Sequence, residues 1–221
     1  MKALILPFAV WIAGAGSAFA NDLVDVPEGC MPTVTIQRNS CSVSTIMQCG
    51  KSHIMTTHSR GTLSDTHQFG AQWDLVGYEA DKGVGVFSAA PGSKPEVSLA
   101  DLFETGTSTG QRTMLFNSRV VKDRKIEMDS NITLSGEEVE LSGQTFLAGT
   151  VDRTFILNPK HAGMKVSFDI LMSKSGDLMI EGKMTRTDGD DVEVFDMSPV
   201  SVVWPGEEGF LSTTAQNGCG E

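Results

Sequence analysis

Basic residues are scarce in this chain. Seventeen lysines and arginines stand against 28 aspartates and glutamates, a formal charge of −11 at neutral pH. So acidic a surface repels phosphate backbones and anionic headgroups, which argues against nucleic acid and bare membrane as partners. Cysteine is sparse too. The four present, Cys30, Cys41, Cys49 and Cys219, include no C-x2-C pair, so the usual spacing of a thiolate zinc site is missing. No apolar run after residue 20 is long enough to span a bilayer as a helix. Nor does any stretch of ten or more residues show the three-and-four spacing of an amphipathic helix. Fixed-period repeats and low-complexity segments are absent. No paired carboxylates, Cys/His set or phosphate loop stands out, so no cofactor is expected and enzymatic activity is the less favoured reading.

What is present begins with an export leader. Lys2 supplies a positive end, Ala3 to Ala15 an apolar run, and Ala18-Phe19-Ala20 a small-x-small cleavage site. The expected organisation is a signal peptide over 1–20 and a single all-β domain over 21–221. Removing the leader and its one lysine leaves 201 residues and a charge of −12. No cysteine follows the cleavage site to carry a lipoprotein anchor. The expected location is the periplasm of a bacterium, or outside the cell otherwise, with no transmembrane segment in the mature chain. An even cysteine count in such a compartment points to two disulfides, expected as Cys41–Cys49 and Cys30–Cys219.

The strongest structural signal runs from Lys125 to Trp204. Ile126, Met128, Ser130, Ile132 and Leu134 alternate with Lys125, Glu127, Asp129, Asn131 and Thr133, the period of a half-buried strand. A loop at Ser135–Glu138 would set Ile132 opposite Leu141. A loop at Lys174-Ser175-Gly176 would pair Met172 with Leu178 and Phe168 with Gly182, avoiding a register that opposes Ile170 to Glu181. Thr187-Asp188-Gly189 would bring Met184 against Val192. Upstream, strands are expected at Met31–Gln37, Lys51–His58, Phe69–Glu79 and Val84–Ala89. Asn39–Gly50 reads as a pinned irregular loop, and Ser98–Glu104 as one helical turn. About ten antiparallel strands with no helical layer must bury their apolar side against themselves. The fold class is therefore an all-β meander closing into a barrel or strongly curled sheet, with a β-sandwich as the alternative.

Three residue sets suggest chemistry. Met128, Met164, Phe168, Met172 and Met184 line the inward side of the meander and suit an apolar or amphipathic guest if the interior is not full. His53, Met55, His58 and His67 offer soft-metal ligands for copper or zinc, with His58 facing His67 if Ser59–Thr66 is a hairpin loop. Gly106-Thr107-Ser108-Thr109-Gly110 matches a nucleophile elbow but precedes a strand and has only His161 downstream, so it reads as a linker. Asp188, Asp190, Asp191 and Glu193 lack a calcium-loop spacing and read as a solvated hairpin tip. The sequon Asn131-Ile132-Thr133 lies mid-strand. The leading expectation is thus an exported, non-enzymatic β domain that binds an apolar or amphipathic small molecule. A structural or protein-interaction module of the cell envelope is the alternative, and a copper or zinc binder the second.

Overall fold

A computed structural model describes residues 23–80, 83, 85–156 and 163–216. The leader, His161 and Cys219 lie outside the described residues. The chain forms β1 (Cys30–Arg38), β2 (Ser42–Cys49), β3 (Ser52–Ser59), β4 (Thr62–Phe69), β5 (Leu75–Ala80) and β6 (Val86–Ala89). A short helix α1 (Leu99–Thr105) precedes β7 (Thr107–Asn117), β8 (Arg124–Leu141), β9 (Gln144–Ile156), β10 (Met164–Ser173), β11 (Met179–Asp188), β12 (Asp191–Phe195) and β13 (Pro199–Val203). All thirteen strands belong to one antiparallel sheet, ordered β12 back through β1 and then β13.

That order dictates the shape. β12 and β13 stand at opposite ends of the sheet, yet only residues 196–198 join them. Laid flat, twelve steps of ~4.8 Å would hold the two strands roughly 58 Å apart. Three linking residues reach about 14 Å. The sheet must therefore curl until its ends approach. Across the junction Arg38 of β1 donates to the carbonyls of Glu181 on β11 and Met197, and the Val202 N–H donates to Ser142 Oγ at 2.8 Å. The strongly curled meander is the observed architecture, with thirteen strands where about ten are expected.

The alternation in β8 holds. Ile126, Met128, Ser130 and Ile132 are buried, while Lys125, Glu127, Asn131 and Thr133 are exposed. The turn lies elsewhere than expected, however. Ser135–Glu138 stays within β8 as an irregularity around left-handed Gly136, and Ile132 pairs with Val151. The reversal comes at Ser142-Gly143, both at positive φ, in a two-residue turn flanked by paired Leu141 and Gln144. Met184 likewise pairs with Phe195, because the β11–β12 turn is Gly189-Asp190. Asn39–Gly50 is no irregular loop but contains β2. Phe69–Glu79 is interrupted at residues 70–74, where Trp73 takes a left-handed φ of 62°. The helical turn is α1, capped by the Ser98 hydroxyl on the Asp101 N–H and ended by left-handed Gly106.

The expected Cys41–Cys49 pairing is overturned. Cys30 bonds Cys49, so Cys30–Cys219 falls with it; Cys41 is disulfide-bonded as well. The reason is geometric. Once 42–49 is extended, residues 41 and 49 are about 26 Å apart along the strand. Cys30 and Cys49 instead sit directly opposite each other in the β1–β2 ladder, with Cα atoms 4.2 Å apart. Their bond closes a loop with a sequence separation of 19 residues.

Peptide mapping under non-reducing conditions should recover a Cys30–Cys49 cross-link. Replacing both by alanine should lower stability by about 3 kcal/mol on the loop-closure estimate, read as a reduced urea midpoint. Recovery of a Cys41–Cys49 peptide would refute the assignment.

Candidate functional site

Inward-facing positions of several strands converge on one cavity of about 320 Å3. β4 contributes Asp65 and His67, β9 contributes Arg153 and Phe155, and β10 contributes Met164, Val166 and Phe168. Leu75 and Tyr78 of β5, Phe87 of β6, and Met184 and Arg186 of β11 complete the wall, with Phe195 and Met197 beyond. Arg153, Phe155 and Phe168 are buried, whereas Phe195 is 43% exposed. The cavity lies at the end of the sheet where β10 begins. At the other end of β10, the β10–β11 turn packs against α1: Gly176 approaches Phe103 and Leu99, and its carbonyl accepts from Trp73 Nε1 at 2.9 Å.

Behind the cavity wall lies a buried charge network. Glu181 Oε2 is 2.9 Å from His67 Nδ1, and Glu181 Oε1 accepts from Arg153 Nη1 at 3.0 Å. Arg38 is a third partner, its Nη1 donating to the Glu181 carbonyl and its Nε to Ser44 Oγ at 2.7 Å. Burial pushes the Glu181 carboxyl up, but the charges and hydrogen bonds of His67 and Arg153 outweigh it and hold the group at about 2. Burial lowers Arg38 to about 10 against the pull of Glu181 and Asp65, so it stays charged at neutral pH. The Arg153 guanidinium carbon lies 5.9 Å from the centres of both the Phe69 and Phe168 rings, a double cation–π contact.

The turn between β10 and β11 brings Glu181 here. Ile170 pairs with Glu181, the register rejected on sequence because it turns an acid inward. The β10–β11 loop has four residues, 174–177, closed by the Ser173 N–H on the Leu178 carbonyl at 2.8 Å. The register then shifts between Phe168 and Ile170, and Phe168 pairs with Met184 rather than Gly182. That shift places both Glu181 and Met184 toward the interior, although three residues apart they would face opposite ways in a regular strand. Gly182 lies in the shifted segment, where an added Cβ would come within 3.4 Å of the Asp169 carbonyl.

Of the five expected ligand-facing residues, Met164, Phe168 and Met184 line the cavity. Met128 and Met172 are fully buried in the core. The four expected metal ligands do not converge. His53 stacks on Trp73 at 4.1 Å and lines a separate, more polar cavity of about 270 Å3 beside Gln48, Asp177 and Trp204. Met55 Sδ accepts from Arg38 Nη2 at 3.7 Å. His58 pairs with Leu63, not His67, because residues 59–66 contain most of β4 rather than a loop; His67 pairs with Met55. Burial lowers both His53 and His58. Among the described residues no group of three His, Cys, Asp or Glu could hold a metal ion. Ser108 is buried in β7, accepting the Ser98 N–H at 2.9 Å, which leaves it no access as a nucleophile. Asp188 and Glu193 at the hairpin tip pair with Arg186.

Arg38 and Arg153 went unread in the sequence, although each carries a signal, whereas Glu181 was placed on the outer face. Arg153 shares the parity of Val151 and Phe155, and Arg38 that of Val34 and Ile36. A charge in the apolar register of a strand marks a buried ion pair whose partner the linear order does not name.

A second buried cluster fastens the connections. Arg112 Nη2 pairs with Asp74 at 2.7 Å, Nη1 lies 3.3 Å from Glu96 Oε2, and Glu96 Oε1 accepts the Leu75 N–H at 2.6 Å. Burial raises the Glu96 carboxyl, against the hydrogen bond from Leu75 and the charges of Arg153 and Arg112.

Glu181→Gln should cost about 3–5 kcal/mol at pH 7, because it leaves buried guanidinium charge without its counter-ion. Since folding depresses the Glu181 pKa from 4.5 to about 2, its contribution is full above 4.5 and is lost as pH falls toward 2. Denaturation of the native protein and the variant across that window should show their difference shrinking with acid. Equal stability at pH 7 would contradict the network.

Comparison with protein-family models, with curated proteins and with solved structures returns no match to this chain.

Proposed function

We propose that this is an exported, non-catalytic β protein that holds an apolar or amphipathic small molecule in the concave cavity. The observation that carries the reading is the cavity itself. Its volume of about 320 Å3 falls within the roughly 300–1,000 Å3 typical of small-ligand sites, and its wall is mainly aromatic and aliphatic with a few converging polar groups. Methionines at 164, 184 and 197 give that wall side chains that adapt to a guest's shape. The leader-like pattern of residues 1–20 and the Cys30–Cys49 disulfide support an oxidising, extracytoplasmic setting. No helix among the described residues is long and apolar enough to cross a membrane.

A second reading, a protein-interaction module of the cell envelope, draws on β12. This strand ends the sheet with every residue exposed, Val192 at 61% and Val194 at 56%. An edge of that kind offers unpaired backbone and apolar side chains to another chain.

An apolar fluorescent dye should bind the purified, disulfide-intact protein, and Val166→Trp, which fills the cavity from its wall, should reduce that binding about ten-fold or more while leaving the thermal transition cooperative. Dye binding unaffected by Val166→Trp but abolished by Val194→Asp would favour the interaction reading. No binding at all would end the cavity reading.

A further inference from the structure

We infer that the guest carries a carboxylate, and that it enters head first so that Arg153 receives both oxygens. The inference rests on the cavity reading above and names the ligand class. Arg153 lines the cavity yet is only 2% exposed, and of its three nitrogens only Nη1 has a partner among the described residues. Nε and Nη2 are both buried without a hydrogen bond. These two nitrogens share one edge of the guanidinium, with N–H bonds running side by side. That edge matches the two oxygens of a carboxylate in a bidentate contact. Buried charged donors left unmatched are costly, so the site is built for an acceptor it does not itself supply.

Orientation follows from the surroundings. Nη1 is tied to Glu181, and Phe69 and Phe168 rings lie beside the guanidinium at equal distance, so the open edge is held in place before a ligand arrives. From there toward the rim the wall passes to Met164, Met184 and Phe195, which suits an alkyl or aryl tail. The acid on the wall, Asp65, accepts from Ser64 and acts on Arg38, whose charge it helps to balance. A single open fork among apolar walls suits a monoanion. A phosphate dianion calls for more donors, and the other guanidinium on the wall, Arg186, is already paired with Glu193 and Asp188.

The experiment uses the full mature protein and four probes with the same ten-carbon chain: decanoate, decanol, methyl decanoate and decylammonium. Binding is read by dye displacement and by native mass spectrometry. Decanoate should bind roughly ten- to a hundred-fold more tightly than decanol or the ester, the range of a charged hydrogen-bonded contact. Decylammonium should bind most weakly. Arg153→Lys keeps the charge beside Glu181 but loses the fork, and should bring decanoate to near parity with decanol. Should that variant fail to fold, the series on the native protein decides alone. Equal binding of decanoate and decanol, or a preference for the ammonium, overturns the headgroup assignment while leaving the cavity reading intact. Failure of all four probes, together with absent dye binding, removes both.

Discussion

One carboxylate, that of Glu181, holds the far sides of the interior together. It is 2% exposed and lies between His67 and Arg153, with Arg38 on its own backbone carbonyl. An ionised acid is too costly to bury alone, so the fold in which Glu181 faces inward is one that delivers the cations to it. β4 and β11 stand seven places apart in the sheet order. Contact between His67 and Glu181 therefore runs across the concavity rather than along the ladder. It exists only when the sheet has curled far enough, which ties the degree of curl to an ion pair.

The same arrangement explains why a space persists beside the network. Side chains that pair with Glu181 are held at fixed positions by their second contacts: Arg153 by two phenyl rings, Arg38 by Ser44 and Met197, His67 by edge contact with Phe69. Groups fixed in this way do not collapse into a neighbouring gap as an all-aliphatic core would. The other end of the sheet is closed by different means. There α1, buried Trp73 and the β10–β11 turn fill the interior with apolar side chains, and the Arg112 cluster fixes the segments that lead into them. The apolar cavity thus lies at the end away from α1, and the smaller polar one beside the β10–β11 turn.

Much of the architecture was legible along the chain. Two-residue alternation from Ile126 to Ile132 identified both the strand and its buried side, and the lack of helical spacing left an antiparallel meander curled on itself. Three of the five residues expected on the ligand face, Met164, Phe168 and Met184, fall on positions that line the cavity. Register was not legible. Turn lengths and bulges leave no composition signal, so the irregularity at Gly136, the β10–β11 turn and the shift beside Gly182 all changed the predicted pairs. β2 was missed because its serines, threonines and glutamine mask the strand period. Its alternation is real, but both of its faces are covered in the fold, so polar residues such as Ser44 and Thr45 are buried as fully as Ile46.

The linear order of residues determined that this chain makes antiparallel strands, which side of the central ones is apolar, and that its cysteines suit an oxidising compartment, because periodicity and composition are local properties. Only the tertiary structure decided which cysteine meets Cys30, that Glu181 lies inside, and which arginine keeps two guanidinium nitrogens unpaired. Those outcomes depend on residues 38, 67, 153 and 181 arriving at one place. Their meeting is set by the cumulative curl of the sheet and by the register shifts in its ladders, neither of which any short stretch of sequence contains.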